Sequence, residues 1–279
     1  MNIIYFLAKK SISFFVLCFG IEFWIKLVSL IPGISANLRN RLIFFPKATE
    51  NTRRLDYLGL NYYSNIHDTS NQLARVNFEP WERQSREIFL ELCKTSDLVL
   101  DIGAHSGIYS LIAASGSSTS QIIAFEPNPT MREVLQKNIE LNGFSSRITI
   151  QEIALSNSGG LSTLAIGKDT SMAMLSSKSN MEAPITHLEV AVKTAKLDDF
   201  SFDSNSMLMK VDIEGSEIAF LDGASHTIAT FKPTILMEAL TNLELELQTN
   251  FLAKLGYGAP VCMGSDTGDE RNYLWSISK

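Results

Sequence analysis

"LVLDIGAHSGIYS", residues 98–110, runs the bulky aliphatic side chains of Leu98, Val99, Leu100 and Ile102 past a single carboxylate, Asp101, and then sheds its bulk at Gly103, Ala104, Ser106 and Gly107. A short apolar run bounded by glycine is the pattern of a strand buried on both faces. The small residues that follow imply a ligand close to the backbone, or else a tight turn.

Working outward, strand and helix signals alternate. "GIYSLIAAS" reads as a short helix ending before Gly116–Ser117, and "QIIAFEP" as a second strand over 121–126. "NPTMREVLQKNIELNG" is a well-marked helix: Asn128 caps it, Pro129 suits its first position, Met131, Val134, Leu135 and Ile139 line one face, and Gly143 stops it. A third strand is expected over 147–155, and the Ser/Gly/Met-rich stretch 156–184 is expected to form loops or a hairpin. "MLMKVDIEG" follows as a fourth strand, with a helix over 216–221 stopped by Gly223. "PTILMEAL" is a fifth strand, "NLELELQTNFLAKLG" a helix, and "APVCMG" and "NYLWSIS" two last strands. Upstream, "FEPWERQSREIFLEL" (78–92) reads as an amphipathic helix with Pro80 in its first turn. Such alternation implies an α/β fold, a mostly parallel sheet with helices on both faces. Ligands of these sheets bind outside the carboxyl ends of the strands. That places 101–107, 126–128, 152–156, 212–215 and Glu238 along one rim.

Composition is ordinary for a globular protein, with 45% hydrophobic residues among 279, enough for a full core. A net charge of −6 argues against nucleic acid as a partner. Cys18, Cys93 and Cys262 form no CxxC pair, and the four histidines lack ligand spacing. No disulfide framework and no zinc site is expected, and a reducing, cytoplasmic compartment fits. Charge is uneven: the first 50 residues carry +4 and the remainder −10. That basic segment contains "SISFFVLCFGIEFWIKLVSLI" (11–31), whose longest uncharged stretch is 11–21. Eleven residues make roughly 16 Å of helix against a hydrocarbon core of about 30 Å, so a span is disfavoured. A helix docked on the domain and a peripheral membrane contact through residues 1–31 both remain open. The expected organisation is a largely helical, apolar and basic extension over 1–75 and a ligand-binding domain over 76–279.

A glycine-rich turn after one strand and an acid ending the next is the signature of a nucleoside cofactor. Gly103 and Gly107 admit a ligand to the backbone, and the two acceptor oxygens of Glu126 suit the paired hydroxyls of a ribose. The interval from Gly103 to Glu126 is near the roughly 20 residues of the dinucleotide pattern. The glycines themselves do not fit a dinucleotide, because His105 stands where GxGxxG needs its second glycine, and no GxxxxGK[ST] cradle is present. An NAD-dependent oxidoreductase is therefore disfavoured. The acids around the turn would repel phosphate and favour a cationic ligand, a sulfonium bearing an ammonium group, as in S-adenosylmethionine.

Taken with "FEPWE" (78–82), "VLDIGAHSGIYSL" (99–111), "AFEPNP" (124–129), "NIELNG" (138–143), "IALSN" (153–157), "LDDF" (197–200), "LMKVDIEGSE" (208–217) and "LGY" (255–257), the chain resembles the FkbM family of class I S-adenosylmethionine-dependent methyltransferases. The resemblance covers about 78–275 and implies a Rossmann-like sheet. It implies that Asp101 and the backbone of Gly103, Ala104, His105, Ser106 and Gly107 meet the methionine end. Glu126 then falls on the ribose, Pro127 and Asn128 flank the adenosine, and Glu152 and Ala154 lie near the adenine. His105 stands where many relatives have Asn.

Methyl transfer requires the acceptor atom to be held in line with the leaving sulfur, and a hydroxyl acceptor must lose its proton to a nearby base. "KVDIEGSE" offers Lys210, Asp212, Glu214 and Glu217, and strand alternation puts Lys210 and Asp212 on one face. Asp212 is the leading candidate beside the acceptor, with Glu214, Lys210 and Glu238 grouped behind it. Lys210 also reads as the ion-pair partner of a rim carboxylate, and Glu217 as a first-turn acid favoured by the helix dipole. Asp198 and Asp199 read as turn residues, Asn138 and Asn142 as the finish of their helix, His187 as a surface residue, and Met172, Met174 and Met181 as packing. The expectation is transfer of a methyl to a hydroxyl on a sugar or glycan, a lipid-linked compound or another small molecule. Transfer to an amine and a binding module without turnover are the alternatives.

Overall fold

In the computed structural model, residues 51–55, 58–64, 82–167, 173–175, 188–263 and 271–277 are described. In chain order the elements are β1 (Asn51–Leu55), β2 (Leu60–Ser64), α1 (Arg83–Cys93), β3 (Leu98–Ile102), α2 (Ile108–Gly116), β4 (Gln121–Phe125), α3 (Pro129–Leu141), β5 (Ile148–Gln151), β6 (Ile153–Leu155), β7 (Gly160–Ile166), β8 (Ala173–Leu175) and β9 (Leu188–Ala195). There follow β10 (Met207–Val211), α4 (Glu217–Gly223), α5 (Ser225–Phe231), β11 (Thr234–Glu238), α6 (Asn242–Lys254), β12 (Val261–Cys262) and β13 (Asn272–Trp275).

The main sheet has the order β12-β13-β11-β10-β3-β4-β5, parallel from β11 to β5, with β13 and β12 antiparallel at one edge. Both central strands, β3 and β10, are buried at all five positions, which is why they read as unbroken apolar runs. Alternation splits their side chains between two cores. Val99 and Leu208 join Phe89, Leu111, Ile112 and Leu135 on the side of α1, α2 and α3. Leu98, Leu100, Ile102, Met207, Met209 and Val211 join Phe220, Ile228, Leu252 and Trp275 on the side of α4, α5 and α6. From β3 the chain moves outward to β4 and β5, then returns across β3 to β10. This reversal opens a crevice at the carboxyl ends of β3 and β10.

Three expectations are corrected. The run 147–155 is not one strand: β5 pairs with β4, and after Glu152 the chain leaves the sheet so that β6 pairs with β9. With β7 and β8, which form the anticipated hairpin, these strands make a second sheet, β6-β9-β7-β8. Gly223 does end α4, but packing rather than a turn requires it: a Cβ there would come 2.0 Å from the Ser156 carbonyl oxygen. Asn138 and Asn142 do more than finish α3, because their side-chain amides grip the edge of β2. Asn61 N–H donates to Asn142 Oδ1 (2.8 Å) and Asn142 Nδ2 donates to Asn61 O (2.7 Å). Tyr63 N–H donates to Asn138 Oδ1 (2.6 Å) and Asn138 Nδ2 donates to Tyr63 O (3.0 Å).

The β1–β2 hairpin thus packs on α3, and Leu55, Leu60 and Tyr62 enter the same core as α1 and α2. It precedes the division expected at residue 75, and the described part of that extension is strand rather than helix. The apolar segment 11–31, Met172, Met181, His187 and the side chain of Met174 lie outside the described residues. Among the described residues, no helix is long and apolar enough to cross a membrane.

Candidate active site

The bend after β3 is built from two positive-φ glycines, Gly103 at 82° and Gly107 at 91°, with His105 at 51° between them. The amides of Gly103 and Ala104 both donate to Phe125 O, at 3.0 and 3.1 Å, which ties the bend to the end of β4. A Cβ on Gly103 would lie 1.8 Å from the Asp212 carbonyl oxygen, and one on Gly107 2.3 Å from Leu135 Cδ1. The close approach that demands these glycines is therefore made by the chain itself, by the β10 loop and by α3.

Glu126, at the end of β4, is brought against this bend. Its Oε2 accepts from His105 N–H (2.6 Å) and its Oε1 from Asn128 N–H (2.7 Å). It is 5% exposed, and burial raises its pKa against the opposing pull of His105 and those amides. Asn128 caps α3 as expected, accepting from Thr130 N–H at 3.1 Å. Its Nδ2 is buried with no hydrogen-bond partner among the described residues. Pro127 presents its carbonyl to Arg132 Nη1 at 2.6 Å. Ser106 accepts from the Tyr62 hydroxyl (2.5 Å), and its carbonyl accepts from Asn138 Nδ2 (2.8 Å).

A second set of polar groups lies at the ends of β10 and β11. Lys210, 1% exposed, donates to Asp212 Oδ2 (3.1 Å) and Asn272 Oδ1 (3.0 Å), and its Nζ lies 5.0 Å from the centroid of the Tyr109 ring. Burial works against the ammonium, but Asp212, Glu82 and Glu238 outweigh it and hold Lys210 protonated. Tyr109 donates to Glu82 Oε2 at 2.6 Å. Burial raises the Glu82 pKa despite Lys210, and burial with Asp212 pushes Glu238 up to about 10. The side chain of Asp212 remains 27% exposed. Beneath the bend, Asp101 accepts from Ser110 Oγ (2.6 Å), and burial lifts its pKa to about 6.

The remaining expected residues are placed differently. Glu217 does not merely sit in a dipole: its Oε1 accepts from Ile213 N–H (3.0 Å) and Gly215 N–H (3.4 Å), pinning the loop after β10. Burial raises its pKa to about 7. Glu214 stands in that loop with φ 51°. The side chain of Glu152 is 71% exposed and pairs with Arg132 at 3.0 Å, and Ala154 is buried in the small core of the second sheet. Asp198 proves structural, accepting from the amides of His226 (3.0 Å) and Thr227 (2.8 Å) at the start of α5. Sequence reasoning missed Tyr62, Tyr109 and Asn272, and gave Glu82 no role. Glu82 and Tyr109 carried a signal, as the last residue of "FEPWE" and within "VLDIGAHSGIYSL".

The bend fits the nucleoside expected of it. Glu126 spends only two of its roughly four acceptor positions on amides, and beside it Asn128 holds an unsatisfied donor. No set of three or more His, Cys, Asp or Glu placed to hold a metal ion occurs among the described residues.

Comparison with known proteins identifies the family. The methyltransferase FkbM domain family matches residues 101–275. "Methyltransferase sdnD" of Sordaria araneosa is 32% identical over 27% of this chain and 31% of its own length. "Methyltransferase 1" of Beauveria bassiana is 30% identical over 50% of this chain and 65% of its own. The chain thus spans less than two thirds of either relative. A crystal structure of methyltransferase FkbM from Methylobacillus flagellatus KT is 21% identical, covering 65% of this chain and 44% of that one, with a TM-score of 0.47.

Proposed function

This chain belongs to the methyltransferase FkbM family, and from that premise we propose that it methylates a hydroxyl on a sugar or glycan, a lipid-linked compound or another small molecule. S-adenosylmethionine is the cofactor of such a domain, and when bound it supplies a methyl group activated by a sulfonium. Glu126 would take the ribose hydroxyls, and Asn128 Nδ2 would donate to the adenosine. The carboxylate of Asp101 and the backbone of residues 103–107 would face the methionine end.

The observation that carries this reading is the meeting of two loops at the switch point. Gly103 packs against the backbone of Asp212, which brings the glycine bend and the loop that carries Asp212 together. Lys210 and Asn272 fix that end of β10, and Asp212 keeps the exposure an acceptor needs. In the proposed reaction the Asp212 carboxylate accepts the proton that the acceptor hydroxyl releases, while Lys210 orients it. The net charge of −6 supports an acceptor other than nucleic acid, and the expected compartment is the cytoplasm, with residues 1–31 either docked on the domain or in peripheral contact with a membrane.

Two measurements test the proposal. Calorimetry on the full chain should show binding of S-adenosylmethionine. Labelled methyl should then enter the lipid, polysaccharide or small-molecule pool of a cell extract, and Asp212→Asn should lower transfer about 10²- to 10⁴-fold while keeping cofactor binding. Label in RNA, or in amines alone, overturns the hydroxyl assignment, and absence of binding overturns the function.

A further inference from the structure

The β1–β2 hairpin lies before residue 101, where the family match begins, yet it reaches the bend that Glu126 grips. Two routes connect them. The hydroxyl of Tyr62, a side chain with no solvent exposure, donates to Ser106 Oγ at 2.5 Å, and the same oxygen lies 3.1 Å from His105 Nδ1. Asn138, also fully buried, accepts from and donates to the backbone of Tyr63, and its Nδ2 also donates to Ser106 O at 2.8 Å. Asn142 grips the same strand at Asn61, but its amide group turns to Asn61 O and Asn138 O rather than to Ser106. Ser106 is thus held from both its side chain and its carbonyl, one residue from the amide that Glu126 accepts.

We propose that the hairpin is part of the cofactor site, with Tyr62 and Asn138 acting as positioning residues that hold Ser106, and through it the His105–Glu126 contact, in the geometry that receives the nucleoside. The inference rests on the functional reading above. Its physical basis is that a bend with three positive-φ positions within five residues has no ladder of its own. Its shape must come from neighbours: the hairpin supplies one hydrogen bond through Tyr62, and α3, which grips the hairpin, supplies another through Asn138. As a consequence, Tyr62, which lies outside the matched domain, sets cofactor affinity while touching none of the reacting atoms.

The test compares three variants of the full chain by calorimetry with S-adenosylmethionine and S-adenosylhomocysteine, alongside thermal unfolding without ligand. Tyr62→Phe and Asn138→Ala each remove a bond to Ser106 and should raise Kd about three- to tenfold, the scale of one neutral hydrogen bond. Asn142→Ala loosens the same hairpin without touching Ser106, so it should lower Tm and leave Kd within about twofold. Unchanged Kd in Tyr62→Phe overturns the inference, as does an equal rise of Kd in Asn142→Ala, which would mean that stability alone is being read. If the wild-type chain binds neither compound, the functional reading fails instead.

Discussion

Gly103 shows how one position serves two constraints. Its φ of 82° is costly for any residue with a Cβ, and that Cβ would meet a carbonyl oxygen at 1.8 Å. Gly103→Ala must therefore displace the β10 loop that carries Asp212, and should abolish cofactor binding and transfer with a lowered Tm. Gly107→Ala meets only the tip of Leu135 and should unfold less readily in the same melt. Asp101 makes a prediction about pH. Burial lifts its pKa from the ordinary 3.8 to about 6, so the folded state holds this proton more tightly than the unfolded chain does. Its contribution is fully present below 3.8 and is lost as pH rises through about 6, a difference of about 3 kcal/mol at roughly 1.4 kcal/mol per unit. Asp101→Asn can still accept from Ser110 and cannot ionise. Its stability should gain on the wild type as pH rises through that window, read from urea midpoints at each pH. A parallel pH response in the two proteins would contradict the burial argument.

At the scale of elements, capping separates stability from binding. On α6, Thr241 accepts from Glu244 N–H (3.1 Å) while Glu244 accepts from Thr241 N–H (3.1 Å), far along the chain from the bend. Thr241→Ala should cost about 1 kcal/mol and leave cofactor affinity unchanged. Asn128→Ala removes the cap of α3 and, in the proposed site, a donor to the nucleoside, so it should cost a similar stability and weaken binding as well. The cap of α3 was legible because capping is a local matter of side-chain type and spacing. The division of 147–155 was not, because Ile148, Ile150 and the residues after Glu152 keep their strand character while their hydrogen-bonding partner changes from β4 to β9. The grip of Asn138 and Asn142 on β2 was hidden for the same reason: two asparagines one turn apart look like a helix end whether or not a strand lies beside them.

Across the whole molecule, the crossing back from β5 to β10 decides what meets at the crevice. It brings Glu82 from before the first parallel strand, Lys210 and Asp212 from the fourth, Glu238 from the fifth and Asn272 from the last into one group around a single buried ammonium. Removing that charge by Lys210→Met leaves the Asp212 carboxylate without its partner and should cost about 3 kcal/mol. The loss should shrink in acid, where that carboxylate protonates, and a loss independent of pH in urea titrations would sink the charge argument. Sequence alone determined the alternation of strand and helix, the glycine bend and the acid that ends the next strand, because hydrophobic period, turn chemistry and side-chain type act over a few residues. Only the tertiary structure decided that Gly103 is required by Asp212, that β6 leaves the main sheet, and that Tyr62 and Glu82 reach the site. Those contacts join residues tens to more than a hundred positions apart, and they depend on the path of the chain through space, which local pattern does not encode.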